Sequence, residues 1–303
     1  MKALVIGYGS IGKRHSRILS DQLNAEVHVV SRHGCDDYKT FSSLELVPVL
    51  NRYDYFVIAT ETILHYQQLK YLTENVNNKK ILIEKPLFDK LESGFNIKYD
   101  NQVWVGYNLR FHSALQKVKS LIEGQSIKYV NCMVGEYLPW WRPGTDYRNS
   151  YSANISMGGG VLLDLSHEID YLSWLFGEFT NGKSFIGKIS SLDIQTDDLA
   201  TAIVMTKTGT IINISMDYLS MIPVRRMLVY ADQNTIELDL ETGKVICCDY
   251  LKNRSDWIFS HERDYTYIEM HKSILYGNGV DCCSYNAGAQ VMDSIEMLKS
   301  NLI

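Results

Sequence analysis

The stretch Lys2-Ala3-Leu4-Val5-Ile6-Gly7-Tyr8-Gly9-Ser10-Ile11-Gly12-Lys13-Arg14-His15 decides how the first half of the chain folds. Ala3 to Ile6 is a short apolar run, too short for a secretory signal and better suited to a buried strand. It is followed at once by G-x-G-x-x-G and then by Lys13-Arg14-His15-Ser16-Arg17-Ile18-Leu19, which suits a helix. Strand, glycine turn and helix, in that order, are what the pyrophosphate of a dinucleotide requires. Gly7 permits the tight turn, Gly9 lets phosphate approach the backbone, and Gly12 lets the helix pack on the strand. The amides opening the helix, those of Ser10 and Ile11 among them, then face the anion.

Outward from this stretch, apolar strands alternate with helical segments. Glu26 to Val30 reads as a second strand and ends in Ser31-Arg32. An enzyme for NAD usually carries Asp or Glu here for the ribose hydroxyls. A hydroxyl beside a planar guanidinium suits a 2′-phosphate instead, so NADP(H) is expected over NAD(H). Asp54 to Thr60 is a buried strand leading into Glu61-Thr62-Ile63-Leu64-His65, where Thr62 is placed to cap the next helix. Lys80 to Ile83 ends in Glu84-Lys85-Pro86, and Gln102 to Gly106 ends in Tyr107-Asn108-Leu109-Arg110-Phe111. Such alternation predicts a doubly wound parallel sheet over residues 1–118, an α/β domain that binds ligands beyond the carboxyl ends of its strands. Thr60, Thr62, His65, Glu84 and Lys85 join Gly7, Gly9, Ser10, Ile11, Gly12, Ser31 and Arg32 as the expected cofactor surface. Tyr107, Asn108 and Arg110 are candidates for touching substrate.

Beyond residue 118 the pattern becomes period-two strands in series, as in Lys128 to Val134, Leu199 to Met205, Thr210 to Met216 and Arg226 to Tyr230. Lys207-Thr208-Gly209 is a hairpin signal joining two of them. An α+β domain with a mostly antiparallel open sheet is expected over residues 119–303, closed by a helix near Asn286 to Leu298. Within it, Gly158-Gly159-Gly160 leads into a helix-like run to Phe176. At about 100° per residue, Leu165, Ile169, Leu172 and Phe176 form an apolar stripe. Asp164, His167 and Tyr171 fall within an arc of roughly 60° on another face. The loop from Tyr137 to Arg148 sets Trp141, Arg142 and Arg148 together, and aromatic rings beside guanidinium groups suit a sugar carrying an anionic group.

Composition limits the function classes. The 303 residues are 46% hydrophobic and 21% charged, with a net charge of −5, and no Lys/Arg block stands out. Nucleic acid is therefore not expected as a partner, and no apolar run reaches membrane-span length. The six cysteines form no Cys-x-x-Cys pair, and the adjacent pairs Cys247-Cys248 and Cys282-Cys283 are poorly placed to share a metal. Reduced thiols, no metal site and a cytoplasmic location are expected.

The glycine fingerprint, the Glu84-Lys85-Pro86 tripeptide at a strand end, and Asp164 and His167 behind their glycines resemble the glucose-fructose oxidoreductase / inositol dehydrogenase / rhizopine-catabolism (Gfo/Idh/MocA) family. The likeness spans essentially the whole chain. It implies a Rossmann domain followed by an open-sheet domain with substrate bound between them, Lys85 and His167 as catalytic groups, and a homo-oligomer, dimer or tetramer, paired through the open sheet face. Here Asp164 and His167 are three residues apart where the family usually has four. The implied activity is hydride transfer between a nicotinamide and a secondary alcohol of a sugar, with Asp164 orienting the substrate or His167. Lys85, at the end of an apolar strand, is expected to be partly desolvated and its pKa lowered. The arginines suggest an acidic or nucleotide-activated sugar, as in family members of surface-polysaccharide pathways. Two other functions resemble those of relatives: NAD-assisted glycoside hydrolysis, and non-catalytic cofactor sensing.

Overall fold

A computed structural model describes residues 1–90, 92, 94–277 and 279–302. The chain divides into two compact units, Met1–Phe111 with Glu262–Met292, and His112–His261 with Asp293–Ile303. The segment Glu262–Met292 thus returns to the first unit, although its sequence follows the antiparallel half.

In the first unit, β1 (Lys2–Ile6) leads through the glycine turn to α1 (Ser10–Arg17). β2 (Glu26–Val30), the short β3 (Lys39–Phe41), β4 (Tyr55–Ile58), α2 (His65–Asn75), β5 (Lys80–Ile83) and β6 (Gln102–Val105) follow. The order β6-β5-β4-β1-β2-β3 is parallel throughout. All four residues of β4 are buried, as expected of a strand covered on both faces. The carboxyl ends of β1, β4, β5 and β6 consequently place the glycine turn, Thr60, Glu84-Lys85 and Tyr107 along one edge of one sheet.

The second unit begins with α3 (Ser113–Ile122), whose N-cap His112 accepts the Ala114 amide through Nδ1. Its sheet is built from β7 (Ile127–Gly135), which precedes the short helices α4 (Val161–Asp164) and α5 (His167–Phe176), and from the strands after them. These are β8 (Phe179–Gly187), β9 (Leu199–Thr206), β10 (Ile211–Asp217), β11 (Val224–Ala231), β12 (Asn234–Asp239), β13 (Lys244–Asp249) and β14 (Arg254–Ile258). Their order is β14-β13-β12-β11-β7-β10-β9-β8, antiparallel except for the β7–β10 pair. The hairpin between β9 and β10 turns at Lys207-Thr208-Gly209, with Gly209 at φ +83°. α6 (Tyr265–Tyr276) and β15 (Cys283–Ser284) belong to the first unit, where β15 adds antiparallel to the free edge of β6. α7 (Tyr285–Ser300), longer at both ends than the expected closing helix, is assigned to the first unit as far as Met292 and to the second from Asp293.

One continuous helix was expected from the glycines to Phe176. Two form instead, because the chain leaves helical geometry at Leu165 (φ −96°, ψ 25°), the C-cap of α4. Asp164 ends one helix and His167 opens the next, so the shared polar face expected from a single wheel is corrected. Among the described residues, no helix is long and apolar enough to cross a membrane.

Candidate functional site

The glycine turn has the geometry its pattern implies. Gly7 sits at φ +97°, where a Cβ would strike the Ala59 carbonyl oxygen at 2.5 Å. Gly12 lies against the Gly7 carbonyl, with 2.1 Å available to a Cβ. Around Gly9 the space is open, so backbone there is approachable from outside. No side chain caps α1 and no acidic residue occupies its first turn, which leaves the Ser10 and Ile11 end positive and suited to a pyrophosphate.

At the end of β2, Ser31 accepts the His33 amide at 3.3 Å. The exposed Arg32 guanidinium lies 3.7 Å from the Glu61 carboxylate. The Thr60 hydroxyl donates to Gln68 at 2.7 Å. Thr62 does not cap α2: it lies in a 3-10 turn, and α2 starts at His65 without a side-chain cap. His65 is buried, a cofactor-facing imidazole only by expectation. Its Nδ1 lies 3.0 Å from the Pro86 carbonyl and its Nε2 3.2 Å from the Thr60 carbonyl, so the ring bridges two strand-end loops. Burial lowers its pKa, and the carbonyls partly oppose that.

Lys85 is half-buried immediately after β5. Its backbone is held through Glu84. The Lys85 amide donates to Glu84 Oε2 at 3.3 Å, and Glu84 Oε1 accepts from His15 Nε2 at 2.9 Å. A Cβ on Gly106 would meet Glu84 Oε1 at 2.7 Å, so glycine is what lets this carboxylate lie across the β6 end. Tyr107, Asn108 and Arg110 depart from expectation. All three are buried; Asn108 donates to Thr266 Oγ1 at 2.6 Å and Arg110 donates to the Cys282 carbonyl at 3.4 Å. Asn108 and Arg110 fasten the β6 end to the returning segment, which makes Arg110 an interior anchor instead of a cleft-facing cation.

In the second unit, His167 is half-buried at the start of α5. Asp164 is buried and accepts the Tyr218 hydroxyl at 2.6 Å, with Tyr151 a second phenolic neighbour. Burial, then the Asp164 charge, raises the Tyr218 pKa well above 10.0 and keeps it a donor. The loop after β7 is seated on these phenols. Trp141 meets Tyr218 edge-on at 5.1 Å and donates its indole N–H to the Glu136 carbonyl, while Arg142 lies 5.2 Å over the Tyr151 ring. A small pocket opens beside Leu138, Trp141, Arg142, Tyr147 and Ser150. Arg148, expected to meet an anion, is occupied by a bidentate ion pair with Asp146 (2.8 and 2.7 Å).

Tyr171 is also corrected. It is fully buried, with its hydroxyl 3.2 Å from both Cys132 Sγ and Glu168 Oε1. Glu168 escaped notice in the sequence. It is completely buried beside His167 and takes the Arg225 Nε–H at 2.9 Å. Burial raises the Glu168 pKa above its ordinary 4.5, with Arg225 opposing the rise. An acid between His167 and Ile169 on a largely apolar helix was the available signal. His15 also went unassigned, since only the fold brings α1 to Glu84.

A parallel sheet bearing this glycine turn at the end of β1 and a lysine at the end of β5, two strands away, with an open-sheet second unit, has the build of the nicotinamide-binding oxidoreductases. Comparison with known proteins agrees. Residues 1–99 match the model for the oxidoreductase family with an NAD-binding Rossmann fold, and residues 115–237 match the GFO/IDH/MocA C-terminal domain. The chain belongs to the Gfo/Idh/MocA oxidoreductase family. It is 29% identical over 126 residues to the uncharacterized oxidoreductase sll0816 of Synechocystis (40% of this chain, 33% of that protein). It is 24% identical over 189 residues to the uncharacterized oxidoreductase YrbE of Bacillus subtilis (57% and 53%). The aligned regions therefore span about a third and about half of these relatives. In fold it is similar to UDP-N-acetylglucosamine 3-dehydrogenase GnnA from Acidithiobacillus ferrooxidans (TM-score 0.80, 19% identity, 100% of this chain and 97% of that one). It is similar also to levoglucosan dehydrogenase in complex with NADH (TM-score 0.83, 15% identity, 99% and 96%). A third is the WlbA dehydrogenase from Bordetella pertussis in complex with NADH and UDP-GlcNAcA (TM-score 0.78, 19% identity, 99% and 96%).

Proposed function

We propose that the chain is a dehydrogenase for a secondary alcohol of an acidic or nucleotide-linked sugar, with Lys85 and His167 as its catalytic groups. The observation that carries this is the carboxyl edge of the first sheet, where a pyrophosphate-fitting turn and a braced lysine stand at the ends of β1 and β5. A bound nicotinamide supplies the hydride chemistry. Gly7, Gly9, Ser10, Ile11 and Gly12 hold the pyrophosphate, and Ser31 with Arg32 takes a 2′-phosphate, favouring NADP(H). The Lys85 ammonium stabilises negative charge developing on the alcohol oxygen. The His167 imidazole takes the hydroxyl proton on oxidation and returns it on reduction. Asp164, held by Tyr218 and Tyr151, sets the position of the loop that presents Trp141 and Arg142 to the sugar. The nucleotide-linked substrate is supported by the likeness to GnnA, a UDP-N-acetylglucosamine 3-dehydrogenase, and to WlbA, which was solved with UDP-GlcNAcA.

The test incubates the protein with NADP⁺ or NAD⁺ and either UDP-N-acetylglucosamine or UDP-GlcNAcA, following absorbance of the reduced nicotinamide. Reduction with one of these sugars is expected, and Arg32→Ala is expected to lower the NADPH over NADH preference about tenfold, the worth of one charge-assisted contact. No reduction with any nucleotide or acidic sugar overturns the substrate class.

Self-association and a reducing, cytoplasmic location belong to the same proposal. Cys35, Cys132, Cys247, Cys248 and Cys282 stand as thiols outside any disulfide. One face of the second sheet exposes Tyr129, Met133, Ile203, Met205, Ile211 and Tyr230, with Ile211 opposite both Tyr129 and Met205. A face this rich in apolar side chains, interrupted by the Asn131–Asn213 pair, is rarely left to water. The wild type is expected to sediment as a dimer or tetramer, and Ile203→Glu with Met205→Glu as a monomer. A monomeric wild type at micromolar concentration would remove this surface from consideration.

A further inference from the structure

A line of four buried side chains runs through the first unit and ends on the lysine loop. Tyr55 on β4, His15 on α1 and His271 on α6 are 0% exposed, and Glu84 is 6% exposed. The Tyr55 hydroxyl lies 3.0 Å from His271 Nδ1, His271 Nε2 lies 2.8 Å from His15 Nδ1, and His15 Nε2 lies 2.9 Å from Glu84 Oε1. Glu84 Oε2 then accepts the Lys85 amide. Burial, and His15 beside it, lowers the His271 pKa well below 6.5, while burial keeps Tyr55 a phenol. One proton assignment satisfies each group with neutral rings. Tyr55 O–H donates to His271 Nδ1, His271 Nε2–H donates to His15 Nδ1, and His15 Nε2–H donates to the Glu84 carboxylate. The phenol thus selects the tautomer of the first ring, and that ring selects the tautomer of the second.

Four buried polar groups cost more than a packed apolar core of the same shape unless every bond is made. Structural support alone does not require them, because aliphatic side chains would fill the same space. Their arrangement joins two places of functional interest. His15 stands in the second turn of α1, whose first turn fits pyrophosphate, and Glu84 holds the backbone of Lys85.

We propose that His15 is a positioning residue that transmits occupancy of the pyrophosphate site on α1, through Glu84, to the backbone carrying Lys85. Its catalytic value rests on the assignment of Lys85 given above; the transmission itself does not. Anion binding at the α1 amides draws the helix start into one position. The His15–Glu84 bond, with its geometry fixed by His271 and Tyr55, passes that restraint to the β5 end.

The test uses ADP-ribose, which carries the pyrophosphate and lacks the nicotinamide, so protection at the lysine loop cannot arise from contact with that ring. Hydrogen–deuterium exchange of the Glu84–Phe88 segment is followed at saturating ADP-ribose and without it. Wild type is expected to show exchange slowed about fivefold or more by the nucleotide, and His15→Asn less than about twofold, on the scale of local opening. Glu84→Gln, nearly isosteric, is expected to lose the response in the same way and serves if His15→Asn folds poorly. Purely structural roles would speed basal exchange and leave the response to ADP-ribose unchanged. That result, or a wild type without a response, overturns the inference. Because no sugar and no turnover are involved, an inactive Lys85 assignment would be detected separately, by the turnover of Lys85→Met.

Discussion

Replacing Lys85 with methionine is expected to lower turnover by at least about a hundredfold, the low end for losing an acid–base or charge-stabilising group. Dinucleotide affinity is expected to stay within about threefold of the parent, since charge at the oxygen acts mainly in the transition state. Methionine keeps a similar length and removes only the ammonium. The loop itself should persist, because its restraints are made by other atoms. Glu84 bonds the residue 85 amide and His65 faces the Pro86 carbonyl, and neither contact uses the lysine side chain. Fluorescence titration with NADPH and NADH measures binding, and single-turnover oxidation of the sugar nucleotide measures chemistry. A variant that binds normally and turns over within about threefold of the parent would sink the assignment of Lys85.

Arg225→Met is expected to cost about 3–5 kcal/mol of stability, the usual penalty for leaving one member of a buried ion pair alone. Glu168 is the member left behind. It is fully buried, and its other oxygen has no hydrogen-bond partner among the described residues, so Tyr171 alone cannot replace the guanidinium. The pH dependence has a definite sign. Burial holds the folded pKa of Glu168 above 4.5, so its contribution is fully present below the unfolded value and is lost as pH rises through the folded one. Without Arg225 the folded pKa climbs further and that loss widens. The melting temperature of the variant should therefore fall below the parent by more at pH 8 than at pH 5. Equal deficits at the two pH values would show that Arg225 acts through packing alone. Arg225→Met with Glu168→Leu should regain much of the loss, since a packed apolar pair often equals a buried ionic one.

The fold was legible where local signals and tertiary demand coincide. β1, β4, β5 and β6 are continuous apolar runs because both their faces are covered, and the hairpin at Lys207-Thr208-Gly209 is marked by its own turn residues. β3 was missed because three residues carry no period. β8, β13 and β14 were missed because their outward positions mix polar and apolar side chains, which blurs alternation, whereas β12 alternates cleanly over Thr235 to Asp239 and is too short to stand out. The helix wheel over Gly158 to Phe176 failed for a different reason. A wheel assumes continuity, and Leu165 satisfies the hydrophobic period while breaking the helix.

The candidate site divides in the same way. The placement of Gly7, Gly9, Gly12 and Lys85 was readable because it is local: a turn after β1, an open backbone approach, and a lysine at a strand end. Arg110, Arg148 and Tyr171 were assigned from residue type, and type does not say what a side chain meets. Arg110 donates to Cys282, Arg148 is held by Asp146, and Tyr171 points into the core. Pairings across long separations were invisible: His15 with His271 over 256 residues, Asp164 with Tyr218 over 54, and Glu168 with Arg225 over 57.

The amino-acid sequence by itself determined the family, the two-part architecture, the dinucleotide turn and the placement of a lysine at the end of β5. These follow from periodicity and from glycines whose backbone geometry admits little else. Only the tertiary structure decided that Glu262–Met292 returns to the first unit, that Asp164 belongs to two phenols, and that a carboxylate before Lys85 is tied to the helix of the glycine turn. Hydrogen bonds between distant residues depend on register and packing of whole elements, and no single stretch of sequence carries that information.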